Sequence, residues 1–151
     1  MPQSLVKIYV HIIFSTKNHV HFLAHDTIRN QMHAYLAKIF MNYDSPAIIV
    51  GGANEHIHEL VQVSKNYLIP KIIGEVKRSS SKWVKNKSTF LSKFQWQNGY
   101  GAFSVGQSMI PNLKKYIVNQ IKHHHKISFK EEYIAFLKKY KIDYDERYLW
   151  D

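Results

Sequence analysis

With 151 residues, a net charge of +10, no cysteine and 45% hydrophobic residues, the chain is sized for a single domain spanning 1–151 with a real core. That composition excludes a disordered chain, disulfides and thiolate metal sites, so any metal would need His, carboxylate, amide or tyrosine donors. The opening Met1-Pro2-Gln3-Ser4 lacks a basic n-region, and Lys7 and His11 interrupt the apolar run behind it; the reading is a cytoplasmic protein with no membrane span.

In chain order, Leu5 to Thr16 is rich in Val, Ile, Tyr and Phe and reads as a central strand. Asp26 is placed to cap a helix running to about Asn42, with Ile28, Met32, Tyr35, Leu36, Ile39 and Phe40 on one side. Ala47 to Val50, a turn at 51–54 and His56 to Val63 predict a hairpin. A helix follows Pro70 over Lys71 to Trp83. Phe94 to Gln97, a turn at Asn98-Gly99 and Tyr100 to Val105 predict a short hairpin or a bulged strand. Ser108 to His124 has Ile110, Leu113, Ile117 and Ile121 at helical spacing, with Pro111 in its first turn. Ser128 and Glu131 form a capping box for a last helix to about Tyr140, and an aromatic tail closes the chain. Strand, helix, hairpin, helix, strand, helix, helix predicts an α+β fold, a ferredoxin-like sandwich with helices packed on a largely antiparallel sheet. No glycine-rich phosphate loop follows a strand, which disfavours a doubly wound parallel sheet.

The charge is uneven. Residues 65–93 hold eight basic residues against Glu75 alone, which carries most of the net charge and points to a polyanion such as nucleic acid. Lys77, Arg78, Lys82, Trp83, Lys85 and Lys87 combine cations with an aromatic that could stack on an unpaired base, the pattern of single-strand binders; a solvated lysine face is the competing reading.

Two groups could do chemistry. His56 and His58, two apart on a strand, project from one face and can reach one metal ion, although ten histidines make chance pairs common. Tyr116 and Gln120 lie one turn apart on one helix face, and Gln120 can offer an oxygen ligand. A metal beside a tyrosine suits phosphoryl transfer, in which the metal offsets phosphate charge while the phenol oxygen attacks phosphorus and keeps the bond energy as a phosphotyrosine. Spacing alone does not separate Tyr116 from a packing aromatic. The His123-His124-His125 run reads as a basic helix end or as a second metal site.

The blocks Gly51-Gly52-Ala53-Asn54-Glu55-His56-Ile57-His58, Lys77-Arg78-Ser79-Ser80-Ser81-Lys82-Trp83, Trp96-Gln97-Asn98-Gly99-Tyr100-Gly101-Ala102-Phe103-Ser104, Tyr116-Ile117-Val118-Asn119-Gln120 and Tyr144 to Trp150 together resemble the IS200/IS605-like single-tyrosine transposases of the HUH type. The resemblance spans most of the chain. It implies a metal site at His56, His58 and Gln120 holding magnesium or manganese, and a nucleophile at Tyr116. It further implies single-stranded DNA with hairpin ends as partner, and a homodimer in which the tyrosine helix of one subunit often serves the histidines of the other. Glu59 departs from the family pattern, which has an apolar residue there. Strand alternation turns it away from the histidines, among Ile57, Val61 and Val63, where it would be buried unless it finds a basic partner. Two other readings stay open: a non-catalytic nucleic-acid-binding descendant of such an enzyme, and a metal-dependent phosphodiesterase that uses water in place of Tyr116.

Overall fold

The computed structural model describes residues 2–124 and 126–151, and for 123 and 124 the backbone alone. Alternation along two strands, β1 (Ile8–Ser15) and β3 (His56–Val63), divides a four-stranded antiparallel sheet into two faces of different chemistry. One face carries Val10, Ile12, Phe14, Ile57, Val61 and Val63, and the other carries His11, Ile13, His56 and His58. Strands β2 (Ala47–Gly52) and β4 (Gly101–Val105) lie at the edges, giving the order β2-β3-β1-β4. With α1 (Asp26–Asn42) between β1 and β2, and α2 (Ile69–Val84) between β3 and β4, this is the split βαβ arrangement of a ferredoxin-like sandwich.

The apolar face is covered by α1 and α2. Met32, Leu36, Ile39 and Phe40 from α1 and Ile72, Ile73 and Val76 from α2 close over it, joined by Phe94 and Trp96 from the segment before β4. Each fully buried large side chain, Phe14 and Phe40 among them, contributes about 2 kcal/mol of apolar transfer. The expected hairpin around 94–105 forms only in part. Trp96 makes a single bridge to Thr16, because its ring is turned into the core, edge-on to Phe14 and Phe94.

The histidine face is covered by α3 (Ile110–Val118), α4 (Gln120–His124) and α5 (Phe129–Lys139). A second, smaller core of Ile13, Phe103, Phe129, Tyr133 and Leu137 anchors α5 there. The tail returns to it: Trp150 packs on Tyr133, and the backbone N–H groups of Asn98 and Gly99 donate to the Asp151 carbonyl.

Three local expectations change. His25, not Asp26, is the residue before the first turn of α1, since the Asp26 carboxylate is taken by Arg29 and makes no cap. The helix expected over 108–124 is broken at Asn119, whose φ of −92° and ψ of 18° leave the helical region, so Tyr116 and Gln120 sit on two consecutive helices. The 108–109 residues belong to a separate 3-10 turn. Half of the capping box forms: the Ser128 hydroxyl accepts from the Glu131 N–H at 3.2 Å, while the Glu131 carboxylate accepts from that hydroxyl at 3.0 Å. The side chains of the His123-His124-His125 run lie outside the described residues.

Candidate active site on the histidine face of the sheet

Two glycines at the end of β2 let the site form. A Cβ on Gly51 would lie 2.7 Å from the carbonyl oxygen and from a side-chain carbon of Ile117, so only glycine lets α3 approach the strand this closely. A Cβ on Gly52 would lie 2.2 Å from the His56 carbonyl, which fixes the tight return into β3. This approach brings Tyr116 and Gln120 over the β3 histidines of the same chain.

His56 and His58 are 1% and 0% exposed. Gln120 Oε1 lies 2.8 Å from His56 Nε2. Glu132, from α5, sends Oε1 to within 3.1 Å of His58 Nε2 and 3.5 Å of His56 Nε2. Its other oxygen accepts from the Tyr116 hydroxyl and, at 3.0 Å, from Gln120 Nε2. Tyr116 is half-buried, and its ring meets His58 edge-on at 5.8 Å. Tyrosine, histidine pair, amide and carboxylate therefore share one small volume.

The far ring nitrogens are also held. His56 Nδ1 is 2.5 Å from Glu55 Oε1, and His58 Nδ1 is 2.8 Å from His11 Nε2. Such partners fix ring orientation and leave both Nε2 atoms turned towards Glu132. His56, His58 and Glu132 each offer a ligand atom within 4.8 Å of the others, all three residues buried. Two imidazoles, a carboxylate and a nearby amide oxygen, with no thiolate, form a donor set that fits a divalent metal ion.

Burial sets the electrostatics. His11 is pushed well below its ordinary value by desolvation and next by the neighbouring His58, so it is neutral and orients His58 without adding charge. Burial would raise the Glu132 carboxyl, but the hydrogen bond and charge of His58, the charge of His56 and the Tyr116 hydroxyl outweigh it and hold the group ionised. The Tyr116 phenol is raised by burial and by its bond to that carboxylate.

Of the expected site residues, the structure brings together His56, His58, Gln120 and Tyr116 and adds Glu132, Glu55 and His11, which spacing did not single out. The expected DNA-binding residues lie elsewhere. Lys82, Lys85 and Lys87 are exposed on and after α2, and Arg78 is paired with Glu75. Lys77 is largely committed to structure: its amine donates to the carbonyls of Gln97, Asn98 and Gly99 at 2.8, 3.3 and 2.7 Å. Burial lowers it to about 8, against the pull of Glu59. Trp83 stacks on Tyr35 at 4.5 Å, with Lys87 Nζ 4.8 Å from its ring centre. Glu59 is buried on the apolar face with no hydrogen-bond partner among the described residues, and burial raises its carboxyl well above the usual range against the opposing charge of Lys77.

The family model described as "Transposase IS200 like" matches residues 4–120, from before β1 through Gln120. The chain belongs to the IS200-like transposases. Among solved structures, a candidate transposase from Deinococcus radiodurans R1 is similar with a TM-score of 0.62 at 18% identity, over 80% of this chain and 95% of that one. A REP-associated tyrosine transposase bound to a REP hairpin is similar with a TM-score of 0.58 at 13% identity, over 82% of this chain and 73% of that one. At these identities the two structures support the fold of this IS200-like chain. No curated protein matches it. No helix among the described residues is long and apolar enough to cross a membrane.

Proposed function

We propose that this transposase nicks and rejoins single-stranded DNA through a covalent 5′-phosphotyrosine at Tyr116, with His56, His58, Glu132 and Gln120 holding a divalent metal. The observation that carries the reading is the convergence of Tyr116 and both histidines on one carboxylate, Glu132, within a single chain. Bound there, magnesium or manganese supplies charge stabilisation for the phosphate in the transition state.

The remaining chemistry belongs to the chain. The Tyr116 oxygen attacks phosphorus in line, the P–O3′ bond breaks as the P–O bond to tyrosine forms, and the departing 3′ oxygen takes up a proton. The phenolic hydrogen already has an acceptor in the Glu132 carboxylate. Rejoining is the reverse, with a 3′-hydroxyl attacking the phosphotyrosine. Glu55 and His11 hold the imidazoles so that both Nε2 atoms face the reaction.

In this reading the substrate is a strand with hairpin ends, a reading supported by the structurally similar transposase bound to a REP hairpin, and the exposed lysines on and after α2 hold its backbone. The reading includes a homodimer acting in the cytoplasm. The test is incubation with hairpin-ended single strands and magnesium or manganese, followed by denaturing electrophoresis. An adduct is expected with the unaltered protein and none with Tyr116→Phe, whose DNA affinity should stay within about two-fold. Cleavage with no adduct would point instead to water as nucleophile, and binding with neither to a non-catalytic binder.

A further inference from the structure

A groove of about 730 Å³ runs between the start of α1 and residues 87–91, away from the Tyr116 side of the site. Its volume falls within the roughly 300–1,000 Å³ usual for small-molecule sites. Its walls carry His21, Phe22, His25, Gln31, Lys87 and Phe90. Phe90 stands at its mouth, 55% exposed, and is held from behind: its ring lies 5.0 Å from Phe22, which lies 5.1 Å from the buried Phe94. Three rings thus lead from the core to the surface and fix the outermost one in place. The walls also carry a cation, Lys87, whose amine lies over the Trp83 ring, the Asp26 carboxylate, which is paired with Arg29, and the polar side chains of His25 and Gln31.

The groove is wired to the catalytic face. His21 Nε2 on its wall is 3.2 Å from Glu55 Oε2, and the other oxygen of that carboxylate is the one that holds His56. Two side chains therefore separate the groove from the histidine pair. A fixed aromatic plane with hydrogen-bonding edges and one cation matches an unpaired nucleobase and its phosphate, since every base has a face to stack and a charged backbone. We infer that this groove takes an unpaired nucleobase of the DNA strand, stacked on Phe90. The inference rests on the strand-transfer reading above and adds to it a site for an unpaired base of the same strand.

The test compares the binding of two oligomers by fluorescence anisotropy at fixed salt: oligothymidylate of about 16 nucleotides and an abasic deoxyribose-phosphate strand of the same length. Phe90→Ala should weaken binding of the thymidylate roughly ten-fold and change the abasic strand less than about two-fold. Phe90→Trp should keep thymidylate affinity, and its indole fluorescence should be quenched on binding. Gln31→Trp, which fills the groove from an exposed position on α1, should reproduce the selective loss without touching Phe90. Equal losses on both strands, or none on either, with the unaltered protein binding both, would overturn the groove and leave the strand-transfer reading standing. Failure of the unaltered protein to bind either strand would overturn both.

Discussion

The two faces of the sheet are equally buried and chemically opposite. On the face beneath α1 and α2, side chains such as Ile57 and Val61 are bound by dispersion and loss of water contact, and any one of them could be exchanged for another apolar group of similar volume at small cost. On the face beneath α3 to α5, His56, His58, Gln120 and Glu132 are as dry, yet each is held by directional bonds to named partners. A polar cluster in a dry setting is strongly held when every member is satisfied and costly when one is not. Glu59 sharpens the contrast, because it puts a carboxylate on the apolar face with no hydrogen bond, one residue from His58.

Removing one support from the polar face should have the largest effect. Glu55→Gln keeps the size of the side chain but weakens the hold on His56 Nδ1, and should lower manganese affinity about 10- to 100-fold by calorimetry, with little change in melting temperature. An unchanged affinity would mean that Glu55 only fills space.

Removing the intruder from the apolar face should act in the opposite sense. Glu59→Met replaces a buried, unbonded carboxylate by an apolar group of similar size and should stabilise the fold by about 1–3 kcal/mol in chemical denaturation. The pH dependence has a definite sign. Burial raises the folded-state pKa of Glu59 above that of the unfolded chain, so its contribution is fully present below the ordinary glutamate value and is lost as pH rises. The gain from methionine should therefore be larger near about pH 7 than near about pH 5. A loss of stability would show that Lys77 depends on this charge more than on its three carbonyl partners.

The smallest effect should come from residues on neither face. Changing Lys82 and Lys85 together to Ala should reduce single-strand affinity modestly and lower the slope of log affinity against log salt by up to about 1.4, the release of two counterions. An unchanged slope would place the DNA elsewhere on the surface.

How much of this was legible follows from the same contrast. Strand alternation alone assigns His56 and His58 to one face and Glu59 to the other, and helical spacing finds α1 and α2. Helical spacing also runs straight through Asn119, because the apolar stripe of Leu113, Ile117 and Ile121 continues in phase while the backbone does not. Asp26 reads as a cap because its type suits one, but local spacing cannot show that Arg29 claims its carboxylate. Glu132 and His11 carry a signal in the sequence itself: each is a polar residue sharing a face with core-facing ones, Glu132 with Phe129 and Tyr133 on a helix and His11 with Ile13 on a strand. What spacing could not supply is the convergence of α3, α4 and α5 on β3, which depends on the close approach at Gly51.

The most direct measurement is to trap the protein on a hairpin-ended single strand with manganese, digest the protein and the DNA, and map the remaining nucleotide by peptide mass spectrometry. A 5′-phosphate linked to Tyr116, on a peptide from α3, is the predicted result. A linkage on any other tyrosine, or cleaved DNA with no modified peptide, would contradict the account.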